Sequence, residues 1–328
     1  VTQIETLDRE VQERAGKVFG EIKSQVHRVI VGQDYLIERL LVALTCDGHV
    51  LLEGVPGLAK TKTLSALTAA IAGNMGRVQF TPDLLPSDVV GTEIYRPQSG
   101  DFVIRKGPIF TNLLLADEIN RAPAKVQSAL LQAMQEREVT LGSETFALPH
   151  PFLVLATQNP IEHEGTYPLP EAQLDRFLMK VSVGYPSPEE ELQILARADS
   201  EKRAPVSISP VVSLPELELL RTHAMELYVD PKVDRYIVAL VNATRQADQF
   251  GLKGMIEWGA SPRASLALKA CARALTFIRG RGFVTPDEVK EVAKDVLRHR
   301  VILSFEAEAR GLSPDHVIEL LLRNVTVP

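Results

Sequence analysis

Cysteine, long apolar runs and excess positive charge are all scarce in this sequence of 328 residues. Its two cysteines, Cys46 and Cys271, build no disulfide framework and have no metal-ligand spacing. Each sits in a helix-like apolar pattern and reads as a buried free thiol. The longest apolar runs, 40–44 and 113–116, are far too short to cross a bilayer, and the N-terminus carries no signal-peptide core. The expectation is a soluble, cytoplasmic protein with no membrane insertion. With 36 Lys and Arg against 42 Asp and Glu, the net charge of -6 argues against a generally basic surface for nucleic acid. Low-complexity segments and tandem repeats are also missing.

What is present has the composition of a globular protein, 45% hydrophobic and 24% charged, in a chain long enough to expect two domains. Val11, Ala15, Val18, Phe19, Ile22 and Val26 recur at helical spacing and predict a first amphipathic helix. The turn Val29-Ile30-Val31-Gly32-Gln33 follows, and its Val31 and Gly32 are candidates to line a base pocket with backbone groups. A second helix over 35–44 leads to the apolar strand 49–53. Further strand-like runs lie at 77–80, 112–116, 152–157 and 179–183, with helical patterns between them, which implies a parallel sheet covered by helices. Two stretches break the alternation, 92–107 around Gln98-Ser99-Gly100 and 138–148 around Gly142-Ser143, and both read as inserted β-hairpins. In the first, Ile94, Phe102 and Ile104 are expected to share a face that packs on the domain while the tip stays free.

From Tyr185 onward the chain turns helical. Ser187-Pro188-Glu189-Glu190, Ser213-Leu214-Pro215-Glu216 and Thr285-Pro286-Asp287-Glu288 fit one capping template. The Pro- and Ser-containing stretch 204–212 lacks periodicity and is the linker candidate. The expected fold is thus α/β, with a nucleotide-binding core over 1–203, a linker over 204–212 and a smaller all-helical domain over 213–328.

The chemistry centres on Gly54-Val55-Pro56-Gly57-Leu58-Ala59-Lys60-Thr61, placed between a strand and a helix. A loop of this kind wraps backbone N–H groups around phosphate oxygens at a helix N-terminus. Lys60 would reach the β/γ-phosphates and Thr61 would put its hydroxyl on Mg²⁺. Thr63, in the first helical turn, is counted with these nucleotide contacts. Ala59 stands where the P-loop pattern expects glycine, and is tolerated there only if its φ is negative.

The apolar strand Leu113-Leu114-Leu115-Ala116 ends in Asp117 and Glu118 at the edge where ligands bind in open α/β sheets. Asp117 would hold Mg²⁺ through its water shell and Glu118 would polarise the attacking water. A third strand ends in Gln158-Asn159-Pro160, where the Asn159 amide can orient that water or touch the γ-phosphate. An ordinary Asn-Pro turn is the alternative.

In this order, with Leu174-Asp175-Arg176-Phe177 and Ser261-Pro262-Arg263-Ala264 following, the sequence resembles the AAA+ ATPases. The P-loop with its alanine, Asp117-Glu118-Ile119-Asn120-Arg121-Ala122 and Ala156-Thr157-Gln158-Asn159-Pro160 resemble the MoxR family within them. The resemblance implies ATP and Mg²⁺ as cofactors and a homo-oligomeric ring, usually a hexamer, with ATP at subunit boundaries. It makes the hairpins the family's helix-2 and pre-sensor inserts and the helical domain a lid. It makes Arg176 the finger inserted into the neighbour's site, with Arg121 as second choice, and Arg263 the second sensor. It also implies a chaperone that remodels or matures protein clients, including cofactor or metal insertion, and that works with a von Willebrand factor A domain partner. The rival is a nucleic-acid motor, but the first hairpin offers it only Arg96, Arg105 and Lys106 with Tyr95 and Phe102. A non-enzymatic scaffold should lack the base that Glu118 provides.

Overall fold

A computed structural model describes residues 9–54, 58–98, 100–159, 165–203 and 206–327. Val55, Pro56 and Gly57 of the P-loop, Ser99 of the first hairpin, Pro160, and Ala204 and Pro205 of the expected linker lie outside the described residues. The chain begins with α1 (Arg9–His27) and α2 (Asp34–Thr45), then β1 (Val50–Gly54), α3 (Lys60–Ala70) and β2 (Met75–Gln79). The short α4 (Pro86–Val90) leads into the first hairpin, β3 (Gly91–Arg96) and β4 (Asp101–Lys106). Next come β5 (Leu113–Asp117), α5 (Ala124–Glu136), the second hairpin β6 (Glu138–Leu141) and β7 (Glu144–Ala147), and β8 (Leu153–Gln158). A single turn, α6 (Glu171–Leu174), precedes β9 (Met179–Val183), and α7 (Pro188–Arg203) ends the first half.

The five apolar runs form one parallel sheet in the order β2-β5-β8-β1-β9. The three inner strands, β5, β8 and β1, are buried on both faces, as continuous apolar strands require when helices cover each side of a sheet, while the edge strands β2 and β9 are only partly covered. Because all five strands run the same way, whatever follows a strand emerges at one edge and whatever precedes a strand lies at the other. That polarity organises the two sites below.

Both hairpins form where expected, but the first has a different parity. Its register pairs Ile94 with Val103 and Tyr95 with Phe102, so Phe102 and Ile104 share a face with Tyr95 while Ile94 points to the other. The odd-numbered sum of each pair is fixed by the turn around Gly100, at φ 72°, and composition alone does not reveal it. Tyr95 and Phe102 meet at 5.2 Å between centroids and both are exposed, so this end of the face is open, whereas Ile104, further along β4 on the same face, packs against the core.

The second half contains α8 (Leu214–Glu226), β10 (Tyr228–Val229), α9 (Pro231–Arg245), β11 (Ile256–Trp258), α10 (Pro262–Ile278) and β12 (Phe283–Val284). It ends with α11 (Pro286–Leu297), β13 (Ile302–Leu303), α12 (Phe305–Ala309) and α13 (Pro314–Asn324). The caps expected from sequence are there. Ser187 and Glu190 exchange side-chain to backbone hydrogen bonds of 3.2 and 2.7 Å, and Thr285 makes the same reciprocal box with Glu288. Ser213 caps α8 alone, since Glu216 turns to Arg14 on α1 instead.

The helical half does not stand apart. One hydrophobic core runs from β1 and α3 through α1 and α2 into α8, α9, α10 and α11, and Val212 is buried in it. A buried Arg39 on α2 donates from Nε to Asp295 on α11 at 2.7 Å, with Tyr35 on the same carboxylate. Cys46 and Cys271 meet in this seam. Both are free, and mutual contact and burial push the Cys46 thiol well up from its ordinary range.

Candidate functional site: two opposite edges of the sheet

A cleft of about 420 Å³ opens at the edge where β1, β5 and β8 end. Lys60, Thr61, Asp117, Glu118 and Asn159 all line it, so the residues expected to handle phosphate, metal and water converge. The Lys60 ammonium donates to Gly54 O at 2.8 Å. Burial lowers its pKa, and the nearby charges of Asp117 and Glu118 oppose that shift.

Ala59 is the N-cap of α3 with φ 54° and ψ 22°. The expectation of a negative φ is therefore wrong. The residue precedes the first helical turn and takes the left-handed conformation that glycine would supply in the standard pattern, at a cost of roughly 1–2 kcal/mol for alanine. Thr63 also departs from expectation. It is buried, away from the cleft lining, and its hydroxyl donates back to Ala59 O at 3.1 Å, one turn earlier in α3.

The acids are held by neighbours that only strand register reveals. β5 lies between β2 and β8, so Asp117 has Gln79 beside it on one strand and the end of β8 on the other. The buried Thr157 hydroxyl donates to Asp117 Oδ1 at 2.7 Å and accepts the Glu118 N–H at 2.8 Å. Arg77 donates to Asp117 Oδ2 at 2.9 Å. Glu118 itself sits at φ 57° and ψ 50°, a strained position for this residue type. Its Oε2 accepts from Gln79 Nε2 at 2.8 Å and from Arg121 at 3.0 Å. Thr157, Gln79 and Arg77 were not singled out from sequence. Arg121, the second choice for a finger acting in trans, pairs with its own subunit's Glu118 and is 42% exposed.

The donor set suits Mg²⁺. One hydroxyl and one carboxylate, with no cluster of three or more metal-ligating side chains among the described residues, match an ion that keeps waters and shares phosphate oxygens. Adjoining the phosphate cleft is an apolar pocket of about 190 Å³. Val31 lines it, as expected, together with Ile30, Leu58, Pro186 and Ile194. The last two come from the approach to α7 and α7 itself and were missed. Gly32 is not in the lining. Its φ of 62° makes the turn, and a Cβ there would stand 2.0 Å from Glu190 Oε1, so glycine lets this turn pack on α7.

Arg176 and Arg263 lie elsewhere. They line a cavity of about 360 Å³ with Asp47, Gly48 and His49, which precede β1. This is the other edge of the sheet, a strand length or about 16 Å from the P-loop. Arg176 is exposed and donates to Leu131 O at 3.2 Å. Arg263, at the start of α10, lies 3.7 Å from Asp175. Sequence placed both arginines in the chemistry, and the structure brings them to one cavity that does not include their own P-loop.

A family model for the ATPase family associated with various cellular activities (AAA) matches residues 49–179, and an AAA lid domain model matches 252–321. The chain is 52% identical to Chaperone MoxR1 of Mycobacterium tuberculosis over 93% of this chain and 81% of that protein. It is 43% identical to the uncharacterized protein YeaC of Bacillus subtilis over 97% of each. A crystal structure from Cytophaga hutchinsonii, described as a candidate ATPase, superposes with a TM-score of 0.91 at 46% identity, covering 97% of both chains. With its α/β P-loop core and lid, the chain belongs to the MoxR family of AAA+ ATPases.

Proposed function

We propose that the protein hydrolyses ATP within a homo-oligomeric ring, a hexamer by family resemblance, and uses turnover to remodel or mature a protein client. The observation that carries the reading is the split between edges. The phosphate cleft holds Lys60, Asp117, Glu118 and Asn159, whereas Arg176 and Arg263 face away at the other edge. Each cleft then gains its arginines from the next subunit, and both act in trans. A finger that completes a γ-phosphate site is worth about 10³–10⁵ in rate.

Within one subunit the tasks divide. The P-loop amides and Lys60 bind the triphosphate, and the Val31 pocket takes the base. Thr61 and Asp117 would hold Mg²⁺, which would supply charge neutralisation for the triphosphate. Glu118, oriented by Gln79 and Thr157, accepts a proton from the attacking water, and Asn159 positions that water. The working division is a core over 1–203, a linker over 204–212 and a lid over 213–328, in line with the sheet ending at β9.

The exposed Tyr95–Phe102 pair supports the first hairpin as the surface that meets a protein client. A nucleic-acid partner has less support, because the Lys106 ammonium lies 4.7 Å from the ring centroids of both Phe110 and Phe146 rather than projecting freely. A von Willebrand factor A domain partner and metal or cofactor insertion rest on the family resemblance alone. So does the cytoplasmic location; no helix among the described residues is long and apolar enough to cross a membrane.

The test separates binding from turnover. Lys60→Ala should lose affinity for a fluorescent ATP analogue, whereas Glu118→Gln should bind it near-normally and release phosphate at least 100-fold more slowly. Arg176→Ala should bind and fail to hydrolyse, and mixing it with Lys60→Ala should restore activity. Hydrolysis by Glu118→Gln at the parental rate would refute the base assignment, and absence of rescue in proven mixed oligomers would refute action in trans.

A further inference from the structure

The segment that carries Arg176 is held chiefly by the lid. Asp175 has both carboxylate oxygens engaged there: Oδ1 accepts from Arg300 Nε at 2.7 Å, and Oδ2 accepts from the Ser261 hydroxyl at 3.0 Å. Arg263 stands 3.7 Å from the same Oδ2. Arg300, only 7% exposed, also donates to the backbone oxygens of Asp175 at 3.2 Å, Phe177 at 2.6 Å and Leu178 at 3.0 Å. His299, buried beside it, bonds Phe177 O at 3.2 Å. The core's share is smaller: Leu178 N–H reaches His49 O at 2.9 Å, Arg176 itself donates to Leu131 O at 3.2 Å, and the Phe177 ring is buried in the core.

Three groups from two lid elements, the start of α10 and the loop after α11, thus close on one carboxylate next to Arg176. The backbone on either side of the arginine is tied to a buried guanidinium that belongs to the lid. Any change in lid orientation is carried to Arg176, and Arg263 moves with it because Ser261, which caps α10, is part of the same clasp. We propose that Asp175 is the positioning residue that presents Arg176 and Arg263 as one unit, so that a subunit's lid sets the hydrolysis rate in its neighbour's site. This rests on the reading that Arg176 acts in trans.

The experiment compares three variants as purified oligomers, each alone and mixed with Lys60→Ala. Arg176→Ala tests the underlying reading, Asp175→Asn keeps the shape but removes the charge, and Ser261→Gly removes one oxygen's partner while glycine remains an acceptable cap. Displacing a catalytic group by about 1 Å costs about 10²-fold in rate. The expected result for Asp175→Asn is therefore a kcat reduced 10- to 100-fold with ATP affinity within twofold, and recovery on mixing with Lys60→Ala, whose Asp175 clasp is intact. Ser261→Gly should show a smaller drop with the same rescue, and it carries the test alone if Asp175→Asn does not assemble. Failure of Arg176→Ala to be rescued removes the foundation. Rescue of Arg176→Ala beside parental turnover by Asp175→Asn, or beside a loss that mixing does not repair, overturns the proposal while leaving the finger in place.

Discussion

Replacing Thr157 by valine would test how the two acids are aimed. The shape is preserved, and only the hydroxyl that donates to Asp117 at 2.7 Å and accepts from the Glu118 N–H at 2.8 Å is lost. A hydrogen bond to a carboxylate contributes about 1.5–3 kcal/mol, and a shielded N–H left without an acceptor costs about 1–3 kcal/mol. Water reaches Asp117, whose side chain is 20% exposed, so the lower halves of those ranges apply and the stability loss should be about 2.5–4 kcal/mol. The effect on chemistry should be larger than the effect on binding. Glu118 holds a left-handed backbone that costs about 1–2 kcal/mol, and its N–H bond to Thr157 helps keep it there. Released, the carboxylate can move by about 1 Å, which predicts a kcat lower by about 10- to 100-fold. ATP affinity should stay within about threefold because Lys60 and the P-loop are untouched, while the Mg²⁺ concentration for half-maximal rate should rise. Thr157→Ser keeps the hydroxyl and should stay close to parental. The assay is steady-state phosphate release across an Mg²⁺ series, beside equilibrium nucleotide binding. Parental turnover and Mg²⁺ dependence in Thr157→Val would refute the argument, and equal loss in the serine variant would shift the cause to the buried methyl group.

Two further outcomes follow from the same geometry. Ala59→Gly should relieve about 1–2 kcal/mol of strain at φ 54° while adding about 0.4–1 kcal/mol of unfolded-state entropy, for a net gain of up to about 1.6 kcal/mol with nucleotide affinity kept; a clear loss in chemical denaturation would show that the methyl group packs. His49 is buried with its pKa pushed down to about 3, because burial and then Arg137 oppose its charge, and its Nδ1 accepts the Val154 N–H at 3.0 Å while Nε2 meets Met134 O. Its folded pKa lies below the unfolded one, so the stability it contributes is present above about pH 6.5 and is lost as pH falls, at about 1.4 kcal/mol per unit. His299, lowered by burial and then by Arg300, adds in the same direction, and urea midpoints should fall from pH 6.5 to 5 with a shallower slope in His49→Asn; flat midpoints over that window would refute it.

The local signals were legible because each is written in a few adjacent residues. A strand, a loop with Lys60 and Thr61, an apolar run ending in two acids, and Pro-started helices need no knowledge of what lies alongside. The errors arise where a partner decides. Thr63 counts as a nucleotide contact by its place in the first helical turn, but the helix turns its hydroxyl onto Ala59 O. Gly32 belongs to a turn whose backbone is expected to line the base pocket, but its close neighbour is Glu190 on α7, more than 150 residues on. Thr157 stood in full view within Ala156-Thr157-Gln158-Asn159-Pro160, but its task follows from β8 lying beside β5 in a register that sets Ala116 against Ala156. The hairpin's faces depended on the parity of a turn, which is a single residue's difference.

One decision could have been taken from sequence and turns on direction alone. In an all-parallel sheet, a residue just before a strand and a residue just after one lie at opposite edges, whatever the strand order. Arg176 precedes β9, whereas Lys60, Glu118 and Asn159 follow β1, β5 and β8. Once the runs are read as parallel strands, Arg176 is about a strand's length from its own subunit's cleft and no side chain spans that gap. The same reasoning does not reach Arg263, because no strand of the sheet fixes where the lid lies. Its place depends on Ser261 and Arg300 meeting Asp175, a contact between residues more than 80 positions apart in the chain. The clasp at Asp175 is thus what joins an arginine whose edge the sheet determines to one whose edge only the lid determines.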